Sequence, residues 1–286
     1  MEGTRAVGVE ILHEGSRERL HASRVTISAG AVGTPAILLR SGIGPADELR
    51  GLGIAPVADL QGVGRNLVDH ARIELGWPAP PALRDEAAPY FQVLLRHTAP
   101  DSAVANDMQI LSLQAPTKFL LMPTLMKPLS AGRLRLRSRD PSEQPDIRLK
   151  LASHPEDARR LRESIRLVAA LAATPELGAM GSEAMMLDTG ETVAPARFAE
   201  LARANDWTDA LIRRSVRHYV HPVGTARMGP AADPGAVVDQ YGRVYGLAGL
   251  QIADASVMPT VPTANTHLTC VVIGERIAAW MRETTD

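Results

Sequence analysis

The 286-residue sequence predicts a mixed α/β fold, α+β overall, in which an antiparallel sheet is inserted into an α/β domain. Three observations predict it. An apolar strand, a glycine turn and a helix start succeed one another within residues 25–35, the layout of the carboxyl edge of an open α/β sheet. Four strand-like runs then fall between residues 107 and 151 with no helix between them, as in an antiparallel sheet. After a group of helices, strand-like runs return within residues 237–253. This order predicts an inserted domain, with segments at residues 1–76, 77–215 and 216–286.

Residues 5–12 alternate apolar and polar in part, as a half-buried strand does. Glu14-Gly15-Ser16 turns the chain, and residues 20–28 read as a second strand, so the two form a hairpin. Ala29-Gly30-Ala31 permits close backbone approach. Thr34-Pro35 reads as a helix start, with Thr34 as N-cap and Pro35 at the first helical position. That helix passes Ile37, Leu38 and Leu39 and stops at Ser41-Gly42. Residues 43–70 are loop-rich around one short helix at 46–52. Their Gly62-Val63-Gly64 run lacks the third glycine of a dinucleotide fingerprint. Residues 77–89, rich in Pro and Ala, read as a boundary. Strands are expected at 107–113, 119–126, 133–138 and 146–151, joined in one antiparallel sheet. The best amphipathic helix covers 155–173, with Leu161, Ile165, Val168 and Ala172 near 3.6-residue spacing. Shorter helices are expected at 194–204 and 207–214, strands at 237–245 and 250–253, and an exit helix at 269–281.

Composition narrows the function classes. A chain 45% hydrophobic and 22% charged suits a soluble globular protein with an ample core. A net charge of -1 gives no electrostatic reason to bind nucleic acid or an anionic membrane. Aromatic residues at 3% leave few platforms for stacking bases. Arg133, Arg135, Arg137 and Arg139 alternate, which reads as the solvent face of a strand. No apolar run approaches the roughly 20 residues of a membrane helix. Met1-Glu2-Gly3-Thr4-Arg5 has no apolar core of a signal peptide, so a cytoplasmic location is expected. Cys270 is the only cysteine, which leaves no intrachain disulfide, and its apolar neighbours read as a buried, inert thiol.

Chemistry-bearing residues concentrate late in the chain, in His221-Pro222-Val223-Gly224-Thr225, Asp254-Ala255-Ser256 and Ala264-Asn265-Thr266-His267. Histidine serves as a general base near neutral pH. Pro222 and Gly224 make a turn able to present the His221 imidazole. Asn265 offers a donor and an acceptor without charge, suited to holding a substrate hydroxyl as it becomes an alkoxide. The same residues also read structurally, with His221 as a turn histidine and Asn265 as the cap of the helix that starts near His267. His218 and His221 have no acid or thiol nearby to complete a metal site, so no metal is expected. His70 closes a loop and reads as structural.

Several of these motifs resemble the glucose-methanol-choline (GMC) family of flavin oxidoreductases. Residues 28–45 (SAGAVGTPAILLRSGIGP) look like that family's second signature, and residues 62–70 (GVGRNLVDH) are similar to its next block. Gly132-Arg133-Leu134-Arg135-Leu136 resembles the strand that opens its C-terminal region. His221-Pro222-Val223-Gly224-Thr225, Asp254-Ala255-Ser256 and Asn265-Thr266-His267 complete the set in order over nearly the whole chain. The resemblance implies FAD as cofactor and a choline dehydrogenase-like oxidation of a small alcohol. It implies part of a Rossmann-like FAD-binding domain in residues 1–76 and 216–286, and a substrate-binding sheet domain in 77–215. His221 matches the family's catalytic histidine and Asn265 its partner. Asp254 matches an acid at the ribityl chain of the flavin, with Ala255 contributing backbone. Thr266 lies where backbone touches the isoalloxazine ring, and Ala29 and Gly30 where the chain passes the adenosine half of FAD. His267 either lines the flavin edge or caps the last helix. The electron acceptor implied is oxygen, a quinone or a protein.

The family begins with a strand, a Gly-x-Gly-x-x-Gly turn and a helix, and that fingerprint occurs nowhere in these 286 residues. The expectation is therefore a chain lacking the N-terminal dinucleotide-binding part. It would be a C-terminal fragment, one half of a split enzyme whose partner chain brings that part, or a non-catalytic interaction module.

Overall fold

In the computed structural model, residues 1–83, 87, 89–115, 117–180, 183–187 and 189–283 are described. In chain order the strands begin with β1 (Gly8–His13), β2 (Ser16–His21) and β3 (Val25–Ile27). Helix α1 (Gly30–Arg40), β4 (Ile43–Gly44), α2 (Ala46–Gly51) and β5 (Ala58–Asp59) follow. Next come β6 (Ala71–Arg72), β7 (Leu75–Pro78), β8 (Phe91–His97), β9 (Met108–Ala115) and β10 (Lys118–Leu125). The pair β11 (Arg133–Arg135) and β12 (Asp146–Arg148) precedes α3 (Pro155–Ala172) and α4 (Pro175–Met180). Then follow β13 (Ala184–Met186), β14 (Thr192–Val193), α5 (Pro195–Arg203), α6 (Asn205–Ser215) and β15 (Arg217–His218). The chain closes with β16 (Leu250–Ile252) and α7 (His267–Glu283).

The chain divides into two compact units. Unit 1 comprises Met1–Asp69, Ala131–Leu149 and His221–Asp286, and unit 2 comprises His70–Ser130 and Lys150–Val220. An inserted domain was expected, but the first boundary falls before His70 and not at residue 77. The reason is that β6 and β7 pair with β10, and Trp77 is 2% exposed in the core of unit 2. Residues 84–86 and 88 of the expected boundary lie outside the described residues.

Unit 2 is built on an eight-stranded sheet whose pairings are all antiparallel. Its centre is β10, paired with β9 along one edge and with β7 and β6 along the other. Helix α3 presents Leu161, Ile165, Val168, Ala169 and Ala172 to the core cluster that includes Trp77, Phe119 and Phe198. Trp77 stacks on Phe119 at 5.4 Å and meets Phe198 edge-on at 6.3 Å. Burial on this scale is the main stabilising term of the unit. A charged brace crosses beneath it. Arg160 pairs with Asp107 at 3.0 Å and with Asp157 at 2.6 Å, and the two acids are fully buried. Asp157 also accepts from the Leu129 and Ser130 amides and the Ser130 hydroxyl, so its charge is well compensated.

Unit 1 is made of short pieces. β1 and β2 form the expected hairpin, from Gly8↔His21 to His13↔Ser16. The expected second strand breaks at residues 22–24, and β3 pairs instead with β16, in parallel. The expected strands at 133–138 and 146–151 do not join the large sheet: β11 and β12 pair with each other inside unit 1. The expected strand at 237–245 is reduced to isolated bridges, Met228↔Val238, Val238↔Val244 and Arg243↔Gln251. Helix α1 begins four residues earlier than Thr34, so Pro35 sits inside it. A proline there withdraws the donor that the Ala31 carbonyl would receive. The Thr225 hydroxyl replaces it, donating to Ala31 O at 2.7 Å. Thr34, expected as the cap, instead accepts from the Ala29 amide at 3.1 Å from within the helix.

Candidate active site

Ala29, Gly30, Asp254 and Ala255 lie just past the ends of β3 and β16, the carboxyl end of a parallel pair and the usual place for a ligand in an α/β sheet. Past Ile27 and Ile252 the two chains stay tied. The Ala253 amide donates to Ile27 O at 3.0 Å, and the Ser28 hydroxyl donates to Ala253 O at 3.0 Å. Asp254 follows, 8% exposed. Its Oδ2 accepts from the Gly30 amide at 2.9 Å and from the Thr34 hydroxyl at 2.5 Å, and its Oδ1 accepts from the Ser256 amide at 2.7 Å. A carboxylate at the positive end of α1 is favourable on its own account. The structure therefore brings Ala29, Gly30, Asp254 and Ala255 together, with both Asp254 oxygens engaged by the protein.

The His221 turn is fastened to this loop from below. The Gly224 amide donates to Ala255 O at 3.2 Å, the Ala226 amide to Ser256 O at 2.9 Å and the Met228 amide to Val257 O at 2.8 Å. Gly224 has φ +88, and a Cβ there would lie 2.5 Å from Asn66 O. Only glycine fits such a position. Asn66, itself at φ 55, donates from Nδ2 to Gly224 O and Pro259 O at 3.4 and 3.3 Å. Val68 and Val223 exchange two backbone hydrogen bonds, and the His221 amide donates to Asp69 Oδ1 at 3.1 Å. His221 itself is half-buried.

Asn265 is exposed on the loop before α7. The helix starts at His267, so Thr266 occupies the cap position and Asn265 stands one residue further out. The Thr266 carbonyl accepts from the Cys270 amide at 3.0 Å and opens the helix. Val223, Met258 and Val261 share a buried cluster with Val68, and Ala255, Cys270 and Ile273 pack against it. The His221 turn, the Asp254 loop and the start of α7 thus rest on one apolar base. His267 is exposed and Thr266 half-buried. Burial, with the Asp254 carboxylate adding to it, pushes the half-buried Cys270 thiol up, which keeps it protonated and unreactive. Among the described residues no group of three or more His, Cys, Asp or Glu is placed to hold a metal ion. No described helix is long and apolar enough to cross a membrane.

The sequence reading assigned no role to Asp69, Asn66 or Thr225. Their work is to hold other segments by side-chain hydrogen bonds at large sequence separations, and such bonds leave no periodic trace. A proline inside an apolar helix pattern was the one available signal, since it announces a carbonyl in need of a donor.

Two family profiles described as GMC oxidoreductase match the chain, the N-terminal one over residues 1–72 and the C-terminal one over residues 128–274. The 5-(hydroxymethyl)furfural oxidase of Methylovorus sp. (strain MP688) is 38% identical over 288 residues, covering 96% of this chain and 54% of that protein. The oxygen-dependent choline dehydrogenase of Stenotrophomonas maltophilia (strain R551-3) is 34% identical over 318 residues, covering 98% and 54%. The crystal structure of pyridoxine 4-oxidase from Mesorbium loti superposes with a TM-score of 0.85 at 24% identity, covering 100% of this chain and 56% of that one. It shares the mixed α/β fold with a large antiparallel sheet. The chain spans about half the length of the curated relatives it matches. Residues 1–72 match the N-terminal profile, so the expected lack of a dinucleotide-binding part is not shown. On these matches, and with the resemblance read from its motifs borne out, the chain belongs to the GMC oxidoreductases, a family of FAD enzymes.

Proposed function

We propose that the chain carries the chemistry of an FAD-dependent alcohol oxidation, in which a CH–OH donor becomes an aldehyde or ketone. His221 is the base and Asn265 its partner. The observation that carries this reading is the fastening of the His221 turn to the Asp254–Ser256 loop at the carboxyl end of β3 and β16. Unit 1 serves as the FAD-binding domain and unit 2 as the substrate-binding domain.

The residues present fit a flavin dinucleotide. Ala29 is exposed, and a Cβ built on Gly30, at φ +76, would meet nothing within 4 Å, so a flat group can approach the backbone there. Ala29 and Gly30 would hold the adenosine half, Asp254 and Ala255 the ribityl region, and Thr266 and His267 the isoalloxazine. Since both Asp254 oxygens already accept hydrogen bonds, its first contribution is to place the Gly30 and Ser256 amides. Bound FAD supplies a hydride acceptor at flavin N5. His221 takes the proton of the substrate hydroxyl on its imidazole. Asn265 donates from its side-chain amide to the same oxygen as negative charge develops there.

The substrate is a small-molecule alcohol, and oxygen, a quinone or a protein takes the electrons. The names of two relatives, an oxidase and an oxygen-dependent dehydrogenase, support oxygen. A second reading is that the chain is one subunit of a split enzyme or a non-catalytic interaction module. One experiment separates them. The purified chain is incubated with FAD, freed of unbound cofactor and scanned for retained flavin absorbance, then mixed with alcohols. Retained flavin that bleaches with an alcohol supports the first reading, and a folded chain without flavin supports the second. His221→Ala is expected to lower turnover by about 10²–10⁴-fold with flavin retained. Near-normal turnover in that variant would remove His221 as the base.

A further inference from the structure

We infer that Asp69 is a positioning residue for His221, holding by its carboxylate the backbone amide of the residue that carries the imidazole. The inference rests on the reading of His221 as the base. In unit 1, Val68 and Val223 are a backbone pair just beyond Asp69 and His221. Pro222 has no donor to place. The Val220 amide turns to His218 Nδ1 at 3.3 Å, and the His221 amide donates to Asp69 Oδ1 at 3.1 Å. A buried side chain thus holds the backbone of the residue that carries the imidazole.

The turn is also strained. Val220 has φ 56, a left-handed conformation that is a genuine outlier for a β-branched residue. Backbone of this kind persists only where its surroundings over-determine it, and it clusters at functional sites. The Val68–Val223 pair fixes the far end of the turn, and Asp69, 3% exposed, fixes the residue that carries the imidazole. A charged acceptor on a backbone amide is about twice as strong as a neutral one. A rigid base is what proton transfer at a fixed donor requires, since small misplacements cost rate steeply.

The test compares the 286-residue chain with Asp69→Ala and Asp69→Asn. Hydrogen–deuterium exchange of the backbone amide of residue 221 needs no cofactor. Asp69→Ala should raise its exchange about tenfold or more, and Asp69→Asn, which retains a side-chain carbonyl acceptor, should recover most of the protection. With FAD and an alcohol supplied, Asp69→Ala should lower kcat about tenfold or more while KM and flavin retention hold, and Asp69→Asn should recover to within a few-fold. Unchanged exchange and kcat in Asp69→Ala overturn the inference, as does an Asp69→Asn variant as damaged as the alanine. If Asp69→Ala does not fold, adding Val220→Gly removes the left-handed strain and keeps the comparison. Failure of the base reading is separable: His221→Ala then turns over normally, while the residue-221 amide still depends on Asp69.

Discussion

The two units of this chain hold themselves together in different ways. Unit 2 gathers Trp77, Phe119 and Phe198 with the apolar face of α3 into one contiguous core beneath an eight-stranded sheet. Unit 1 has strand pairs of two to six residues, and its segments are tied by single polar side chains reaching distant backbone. Asp254 holds Gly30, Thr225 holds Ala31, Asn66 holds Gly224 and Asp59 holds Ala46. Its last helix, α7, buries Ile277 but leaves Leu268, Val271 and Val272 74%, 48% and 58% exposed. The difference teaches where chemistry can be placed. A packed core tolerates no open backbone, whereas loops fixed by hydrogen bonds can be exact and still reachable.

The largest expected effect tests the core of unit 2. Phe198 is fully buried and touches Trp77 and Trp207 edge-on at 6.3 and 6.2 Å. Phe198→Ala removes a ring from a site that strands and helices enclose and that cannot collapse, so it should cost about 3–5 kcal/mol. Urea unfolding of both proteins measures it. A loss below about 1 kcal/mol would mean that this cluster is not the main support of the unit.

The same contrast explains what was legible in the sequence. Helix α3 ends within a residue of its expected limits because Leu161, Ile165, Val168 and Ala172 repeat at helical spacing. Strands β9 and β10 were visible as apolar runs bounded by turns. Strand β7 was not, because Trp77 stands at the edge of a Pro- and Ala-rich stretch that reads as a boundary when its partner β10 is out of sight. Strand β8, at residues 91–97, was missed as well, with Phe91, Val93 and Leu94 all exposed and no alternation to mark it. In unit 1 the strand–turn–helix at residues 25–35 and the His221 turn were legible as motifs, down to the glycines. Their fasteners were not, since a bond from Thr225 to Ala31 spans 194 positions and depends on no local pattern. The start of α1 was misplaced because Thr-Pro is a common helix opening. The structure keeps Pro35 inside the helix by supplying its missing donor from elsewhere.

That compensation sets the next prediction, smaller than the first. Thr225→Val keeps the shape but leaves the buried Ala31 carbonyl without either its helical donor or the hydroxyl, and should cost about 1–3 kcal/mol. Pro35→Ala returns an amide at the position that can bond Ala31. In that background the cost of Thr225→Val should shrink, a coupling that a double-mutant cycle of unfolding free energies reads directly. Additive costs would mean that Thr225 and Pro35 do not share the Ala31 carbonyl, and the polar fastening of unit 1 would lose its clearest example.

The smallest expected effect returns to unit 2 and concerns pH. His97 faces the Ser164 hydroxyl at 3.2 Å, and burial holds its imidazole below the ordinary value of 6.5, with a hydrogen bond to the Thr98 backbone and the Asp107 carboxylate only partly opposing this. The sign follows from which state binds the proton. Below pH 6.5 the unfolded chain protonates this histidine while the folded one resists, so the His97 contribution falls as pH drops through that value. It is fully present above 6.5, where both states are neutral. Unfolding midpoints at about pH 8 and about pH 5.5 should therefore differ less in His97→Gln, which cannot titrate, than in the parent chain. His97 is half-buried, so the change in slope is slight beside the loss from Phe198→Ala. An equal or larger pH dependence in the variant would assign the acid sensitivity to other groups. Unit 2 would then owe its stability to apolar burial and the Arg160 brace, with no titrating contribution from His97.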